Sequence, residues 1–327
     1  MGAGPMRSVT IGVRDIDDAM RLFGEIFGLT TEYDIAAPPE LVALWGLPPA
    51  TAVRLRELSC RGYPVGRVRL AQYDPPATEA VRLDDEGGPD RPTDIGPKAV
   101  DFYITTSMEE AVAALEAAGF RPRSRPIRYQ FEAYETEELV LTGPDGVPFL
   151  IMRAVNHPDT SMRRLPPGVA YSEVPTVSVV AGDVAASRRF YGEGLGLVAG
   201  TDAEIAENML DLAADLTGVP RGTRMHFLVY QHAGEPSGKY LLVKFFVDSA
   251  RRLTGRMRPG RLGVSLYTHD VADLDALLDR LRSVEAPPVA GPEEIDLGSA
   301  GRWRIALVRG PNEDLFELRE ARSAGPQ

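Results

Sequence analysis

The sequence contains little of several features on which whole classes of protein depend. Of its 327 residues only one is a cysteine, Cys60, which excludes an intramolecular disulfide and any zinc site built on several thiolates. We expect Cys60 to be a small buried hydrophobe in a reducing, cytoplasmic environment. No apolar run approaches the length of about 18 residues that a transmembrane helix needs, and no signal peptide is visible, so no membrane partner is predicted.

Lysine and net positive charge are also lacking. The formal net charge is -11, the sequence pI is near 5.0, and lysine occurs only at positions 98, 239 and 244. No basic stripe emerges along the chain, which argues against a nucleic-acid partner. The remaining composition, 44% hydrophobic and 25% charged, is that of an ordinary globular protein.

What the chain does contain is a repeat. Residues 9–29 read VTIGVRDIDDAMRLFGEIFGL, and residues 177–197 read VSVVAGDVAASRRFYGEGLGL, which match position for position without a gap. With a small adjustment, residues 46–74 also align with residues 218–246, pairing GLPP with GVPR and GYPVG with GEPSG. Both copies predict a strand, a helix and further strands joined by glycine and proline turns.

A second kind of unit follows each copy. AVDFYIT and the helix pattern SMEEAVAALEAAG open one, and LGVSLYT and DVADLDALLDRLRS open the other. The chain therefore predicts an α+β fold of four βαβββ modules. A lone module leaves one sheet face and its edges uncovered, so we expect modules to pair into two cup-shaped half-barrel domains. The predicted boundaries are 1–155 for an N-terminal domain, 156–175 for a linker and 176–322 for a C-terminal domain.

These modules resemble the vicinal oxygen chelate superfamily, which includes glyoxalases, extradiol dioxygenases and bleomycin-resistance proteins. The resemblance rests on Asp15 and Asp183 before a helix with aromatic residues and Gly-Leu, and on the endings GPDGVPFLIM and GPNEDLFELRE. It implies a small organic ligand in a cup. In catalytic members it also implies a divalent metal (Fe, Mn, Ni or Zn) held by a His on the first strand of a module and a Glu on its last strand.

The implied ligand positions are mostly altered in this chain. The first-strand position falls on Ser8, on Val100 or Asp101, on Thr176, and on Gly263 or Leu266, none of which is His. The last-strand position falls on Arg69, Leu150, Leu241 and Glu317. Only Glu317 keeps the family residue, so we expect the usual metal centre to be largely lost.

The four histidines offer little replacement. His157 lies in the predicted linker, and His269 is predicted at a strand end or in a loop. His226 and His232 flank one predicted strand and share its parity. They stand about 20 Å apart along an extended chain, so at most one of them could join Glu317 at a metal.

Candidate site residues are the polar and aromatic side chains on the predicted strands of each cup. Glu317 near His226 would form a general base, and the candidate ligand-binding residues are Arg54, Arg69, Tyr103, Tyr230, Tyr267, Trp303 and Arg304. Residues 203–219 predict an amphipathic helix that covers a cup, packs in the core or forms a homodimer contact.

Two functions remain open from the sequence. One is a lyase, isomerase or dioxygenase-like enzyme with a relocated or absent metal. The other is a protein that binds and sequesters an antibiotic or similar planar compound without catalysis. In both, a small, aromatic organic molecule is the expected partner, and the C-terminal cup is the expected site.

Overall fold

The computed structural model describes residues 2–82, 91–131, 134–156, 168–248 and 250–322. These residues form two mixed β-sheets and short helices, which confirms the α+β prediction of four βαβββ modules. The described part of the chain contains no helix with the length and apolar character needed to cross a bilayer.

Modules one and four build the first sheet. Its strands are β1 (Met6–Val13), β2 (Thr30–Ala36), β3 (Ala52–Ser59), β4 (Arg67–Asp74), β14 (Gly263–Val271), β15 (Pro288–Asp296), β16 (Arg302–Arg309) and β17 (Leu315–Ala321). They lie in the order β15-β16-β17-β14-β1-β4-β3-β2, with β1 antiparallel to β14 at the centre.

Modules two and three build the second sheet. Its strands are β5 (Gly96–Tyr103), β6 (Arg121–Pro122), β7 (Ile127–Phe131), β8 (Tyr134–Thr142), β9 (Pro148–Ala154), β10 (Thr176–Val180), β11 (Val198–Glu204), β12 (Met225–Gln231) and β13 (Lys239–Phe245). They lie in the order β11-β12-β13-β10-β5-β9-β8-β6, with β7 also paired to β8.

The sheets therefore join modules from opposite halves of the chain. The expectation that residues 1–155 close one cup and residues 176–322 another is wrong. Each module presents a first strand whose free edge needs a partner, and the first strand of any other module can supply it, so the sequence pattern does not encode the choice. We call the concave face of the first sheet the outer-module cup and that of the second sheet the inner-module cup. The segment boundaries themselves stay a prediction, and residues 157–167 of the linker lie outside the described residues.

The described residues contain six α-helices: α1 (Ile16–Met20), α2 (Pro39–Leu44), α3 (Met108–Ala117), α4 (Val184–Ser187), α5 (Leu210–Thr217) and α6 (Leu274–Ser283). The first and fourth continue as π-helical turns, Arg21–Ile26 and Arg188–Gly194.

The repeated aspartates start helices. Asp15 accepts hydrogen bonds from the backbone N–H groups of Asp17 and Asp18, and Asp183 accepts one from Ala186, so both are N-caps. Asp273 caps α6 in the same way, and Ser107 forms a capping box at α3. The module signature is therefore a local requirement of helix initiation.

The helices of the repeat lock the two sheets together. Phe27, at the end of the module-one helix, packs on Phe102 of the second sheet with ring centroids 4.6 Å apart. Phe190, in the module-three helix, packs on Phe316 of the first sheet at 5.1 Å. A single core cluster consequently includes residues of both sheets. The sheets share this core between their helix-bearing faces, which leaves the concave faces for other contents.

One buried histidine ties three parts of the chain together. His269 lies within β14, where the sequence suggested a strand end or loop, and it is fully buried. Its Nδ1 donates to the Gly4 carbonyl at 2.7 Å, so its Nε2 accepts from the Tyr240 hydroxyl at 2.6 Å. Burial lowers the pKa of His269 to about 4, against a partial increase from the Gly4 hydrogen bond.

This histidine predicts acid sensitivity. Because its folded pKa is depressed, its contribution is fully present above its unfolded pKa of about 6.5 and is lost as the pH falls toward 4. We expect the stability advantage of the natural protein over His269→Gln to shrink by about 2 kcal/mol between pH 7.5 and pH 4.5 in urea unfolding. A pH-independent difference between the two proteins would contradict this assignment.

Candidate functional site

A fully buried ion pair lies at the centre of the outer-module cup. Arg69 on β4 donates from Nη1 to Oε1 of Glu317 on β17 at 2.8 Å, and both side chains have 0% exposure. Arg69 also donates to the hydroxyls of Thr10 (2.8 Å) and Thr268 (3.2 Å) on the central strands. The pair thus bridges module one and module four through four strands.

A tryptophan closes this ion pair from the side of the cup mouth. Trp45, directly after α2, donates from Nε1 to the second carboxylate oxygen of Glu317 at 3.0 Å. Its ring also lies against the Arg69 guanidinium, 5.4 Å from Cζ to the ring centroid. Both carboxylate oxygens of Glu317 therefore accept hydrogen bonds. The Arg69 guanidinium interacts with both the Glu317 carboxylate and the face of the Trp45 ring.

Further ion pairs fill the rest of the cup. Glu57 accepts from Arg7 at 3.0 Å and from Arg67 at 2.9 Å, and Asp270 accepts from Arg7 and Arg319, each at 3.0 Å. Burial would raise the pKa of Glu57, but the nearby arginines bring it down to about 2. The outer-module cup is thus filled with carboxylates that each have a guanidinium partner.

The residues of this cup do not fit a divalent metal. Burial favours the protonated form of Glu317, yet the charges of Arg69 and Arg319 and the bonds from Arg69 and Trp45 keep its pKa below the usual range. The family position that would supply a second carboxylate carries the cation Arg69 instead, and a cation repels a metal ion. Within the described ranges, no group of three or more His, Cys, Asp or Glu side chains is arranged to hold a metal.

The inner-module cup carries apolar residues at the matching positions. Leu241 aligns with Arg69, Val229 with Glu57, and Leu150 occupies the place of Glu317, opposite Asp101 in the parallel β5–β9 pair. Tyr103, Val140, Leu150 and Met152 form one apolar cluster here, with Leu216 packed against it. Phe227, Val229 and Leu241 on the same face are only half-buried. The charged side chains of the outer-module cup are therefore replaced by apolar ones at these positions of the inner-module cup.

Two carboxyl groups face this apolar cup. Asp101 has 1% exposure and accepts from the Ser178 hydroxyl at 3.3 Å, and Glu138 has 8% exposure and accepts from the Tyr129 hydroxyl at 2.7 Å. Burial raises the pKa of Glu138 to about 7. Burial, together with the charge of Glu138, also raises the pKa of Asp101 well above its usual range, against smaller effects of Ser178 and Lys239.

A short helix covers each cup. Helix α2 in module one contacts β15 of module four, and α5 in module three contacts β7 and β8 of module two. Both end at a glycine with positive φ, Gly46 and Gly218, so the two helices occupy equivalent places in the repeat. Thr217, the last residue of α5, occupies the position in the repeat that corresponds to Trp45, the residue that follows α2. The predicted amphipathic helix over 203–219 thus exists as α5, while residues 203 and 204 belong to β11.

The structure separates the two residues proposed as a catalytic pair. Glu317 lies in the first sheet, while His226 lies on β12 of the second. His226 contacts Asp202 at 2.7 Å, and the same Asp202 binds Arg188 of the module-three helix. The hypothesis that His226 assists Glu317 is therefore corrected, because its parity on β12 places it on the helix-bearing face.

Other candidate residues also lie outside the cups. Tyr230 stacks on Tyr191 at 5.6 Å and Tyr267 packs on Tyr240 at 5.4 Å, so both belong to the aromatic core between the sheets. Arg304 pairs with Asp275 of α6, and Arg54 pairs with Asp17 of α1 and with Asp34. These two arginines thus lie on the helix-bearing face of the first sheet. The ligand-binding roles predicted for the two tyrosines and the two arginines are therefore corrected.

Besides Glu317, three of the candidate ligand-binding residues lie at the concave faces. Arg69 lies within the outer-module cup and Tyr103 within the inner-module cup, as described above. Trp303 lies at the rim of the outer-module cup, with its ring 4.4 Å from Cζ of Arg319. Beside it a cleft of about 180 Å³ is lined by Glu40, Glu294, Ile295, Asp296, Trp303, Arg302 and Arg322. The charges of this cleft pair largely with one another, as Arg322 with Glu294 at 3.0 Å.

Cys60 fulfils its structural expectation. It is buried, and burial raises the pKa of its thiol to about 12, which leaves almost no thiolate at neutral pH. The residues that sequence reasoning missed are Trp45, Tyr129 and Glu138. Strict alternation along β8 would have found Glu138, because it shares a face with Val140.

Comparison with known proteins agrees with this architecture. Residues 173–317 match the family model described as the Glyoxalase/Bleomycin resistance protein/Dioxygenase superfamily. Glyoxalase I from Zea mays has the same fold, with a TM-score of 0.60 at 13% identity over 97% of this chain and 92% of the maize chain. A putative dioxygenase from Bacillus subtilis subsp. subtilis str. 168 gives a TM-score of 0.56 at 13% identity over 99% of this chain and 87% of its own. A search of curated proteins found no match.

Residues 173–317 are therefore similar to the Glyoxalase/Bleomycin resistance protein/Dioxygenase superfamily, and the chain as a whole shares the fold of these solved structures. At these identities the solved structures share the fold and leave the activity open.

The buried ion pair makes a prediction about stability. Arg69→Leu leaves Glu317 buried without its cation, so we expect the free energy of unfolding to fall by about 3–5 kcal/mol. The double variant Arg69→Leu/Glu317→Gln removes both charges and keeps an acceptor for Trp45, and it should recover most of that loss. Urea unfolding measures all three proteins.

A surface pair supplies the control. Arg221 binds Asp215 at 2.7 Å, but both side chains are largely exposed, so Arg221→Leu should change stability by less than about 1 kcal/mol. Equal, small effects of Arg69→Leu and Arg221→Leu would refute a structural role for the buried pair.

Proposed function

We propose that the protein binds a small, largely apolar organic molecule in the inner-module cup, beneath α5. The observation that carries this proposal is the contrast at matched positions. Arg69, Glu57 and Glu317 fill the outer-module cup, whereas Leu241, Val229 and Leu150 line the inner one. A concave apolar surface with a few polar groups is the usual character of a small-molecule site.

The partial exposure of this surface supports the proposal. Phe227 and Leu241 pack against a cluster that includes Ala214 of α5, and together with Val229 they are nevertheless only half-buried. Covering such side chains with an apolar ligand gains roughly 25 cal/mol per Å² of surface removed from water. Tyr103, Tyr129 and Phe227 add aromatic rings to the lining, which favours a planar aromatic ligand.

Binding without a metal centre is part of the proposal. The family positions for metal ligands carry Ser8, Arg69, Thr176 and Leu241 here, and the remaining carboxylate, Glu317, is held by Arg69 and Trp45. Superfamily members use divalent metals for catalysis, but this donor set favours recognition of a ligand over metal-dependent turnover. Sequestration of an antibiotic or a similar planar compound is one form of this function.

A second candidate is metal-independent catalysis. It is favoured by Glu138, a carboxyl group in the cup whose pKa burial raises to about 7, as suits a general acid or base. Glu317, with its lowered pKa and arginine partner, is not suited to act as the base. If Glu138 acts as a base, turnover of a bound compound should rise through about pH 7 and be lost in Glu138→Gln while binding persists.

The binding proposal is tested by filling the cup. We expect a panel of aromatic compounds to include members that raise the melting temperature of the natural protein, and Val229→Trp to abolish that increase because the indole occupies the ligand space. Val289→Trp is the matched control, since Val289 is 55% exposed on β15 of the other sheet. Circular dichroism checks that both variants are folded. Equal ligand responses in the two folded variants would place the ligand elsewhere.

Two further proposals concern the location and the assembly of the protein. We propose a cytoplasmic location, from the single cysteine, and a homodimer as one assembly for the chain. Cell fractionation and light scattering of the purified protein test them separately from ligand binding.

A further inference from the structure

The two cups differ in how their carboxyl groups are compensated. In the outer-module cup, Glu57, Asp270 and Glu317 each lie within 3.0 Å of an arginine nitrogen. That cup is electrostatically closed, because each carboxylate already has a cation. The inner-module cup has kept the concave shape of the repeat but not these arginines.

In the inner-module cup the compensation is incomplete. Among the described residues, the hydrogen bonds to Asp101 and Glu138 come from hydroxyl groups, those of Ser178 and Tyr129, with Thr136 also contributing to Glu138. Lys239, which aligns with Arg67, interacts electrostatically with both Asp101 and Glu173. Glu173 also accepts a hydrogen bond from the Ser237 hydroxyl. Within the part of the chain that the structure describes, the positive charge acting on the pair Asp101 and Glu138 is that of Lys239. It acts on Asp101 and is shared with Glu173.

The aromatic lining has the same preference. The Tyr129 hydroxyl lies 2.7 Å from Glu138, so its ring stands beside that carboxyl group. Tyr103 belongs to the apolar cluster with Leu150, and the half-buried Phe227 packs against a second apolar cluster, which includes Ala214 of α5. Aromatic faces attract cations electrostatically. Carboxyl groups, aromatic rings and apolar side chains therefore occur together on this concave face.

We infer that the inner-module cup recognises a protonated amine on an apolar, aromatic frame, with Asp101 and Glu138 receiving the ammonium group. The inference rests on the proposed function and names its ligand class. The ammonium group would replace weak hydroxyl donors by charge-assisted hydrogen bonds, and the frame would cover Val229, Leu241 and Phe227. An anionic ligand would instead meet two carboxyl groups in a site of low dielectric constant.

Binding should be linked to protons. A cation favours the ionised carboxyl groups, whereas burial raises the pKa of Glu138 to about 7 in the free protein. The affinity for an amine should consequently increase as the pH rises from about 5.5 to 8, where Glu138 has released its proton before the ligand arrives. Lys239 and Glu173 also face this region and contribute in both ligand-free and ligand-bound protein.

The experiment uses three compounds with one indole frame: tryptamine, tryptophol and indole-3-propionate. Calorimetry on the full chain at pH 8 should give tryptamine an affinity at least about tenfold above that of tryptophol, with the propionate weakest. The preference should decrease several-fold at pH 5.5. Asp101→Asn/Glu138→Gln should reduce the tryptamine preference to near one while tryptophol still binds. Glu207→Gln/Asp211→Asn, on the exposed side of the α5 segment, removes the same charge and should preserve the preference.

The outcomes separate the inference from the proposed function. If tryptophol or the propionate binds as tightly as tryptamine, and Val229→Trp abolishes that binding, the cup binds apolar molecules and the amine inference is wrong. If none of the three compounds binds at millimolar concentration, the amine inference fails, and the binding proposal is then decided by the panel of aromatic compounds and Val229→Trp. A tryptamine preference that survives Asp101→Asn/Glu138→Gln would also overturn the assignment of the two carboxyl groups.

Discussion

The Arg69–Glu317 ion pair is the constraint on which the arrangement of this molecule depends. The two side chains come from β4 and β17, which approach one another only because module one shares a sheet with module four. A buried carboxylate with no cation would be strongly destabilising. Glu317 gains its cation only when modules one and four share a sheet, so the ion pair favours this pairing of modules. Trp45 and the threonine hydroxyls complete its hydrogen bonding.

This constraint divides the tasks of the two cups. The outer-module cup is closed by ion pairs, and in it the Arg69 guanidinium stands beside Glu317, where the resemblance implies a metal ligand. The inner-module cup contains leucine and valine at the matching positions. The covering helices follow the same division, since Trp45 follows α2 whereas Thr217 occupies that place in α5. A repeat of one motif has thus given one cup closed by ion pairs and one cup lined by apolar side chains.

Much of the fold could be predicted from the sequence, because helix caps and strand periodicity are local. Asp15 and Asp183 mark the helix starts, and the repeat defines the modules. The partnership of modules could not be predicted, since it depends on which free strand edges meet. For that reason the expectation of a C-terminal cup failed, and with it the pairing of His226 with Glu317.

The candidate site was predicted less well, for two physical reasons. Tyr230 and Tyr267 have the residue type of a binding site, but their parity on the strand directs them into the aromatic core. Asp101 stands at one of the alternative ligand positions that the resemblance implies. Glu138 stands at none of them, and the sequence pattern of β8 predicts a strand without assigning Glu138 to a cup. Residue type is enough to suggest candidates. Whether a candidate lies in a cup or in the core depends on which face of the sheet its side chain occupies.

The most direct test of this account is metal loading. The purified protein and Glu317→Gln are each incubated with Mn, Fe, Ni and Zn, dialysed and analysed for bound metal. The account predicts far less than one equivalent in both proteins, because Arg69 already neutralises Glu317. One equivalent of metal in the natural protein that disappears in Glu317→Gln would contradict it.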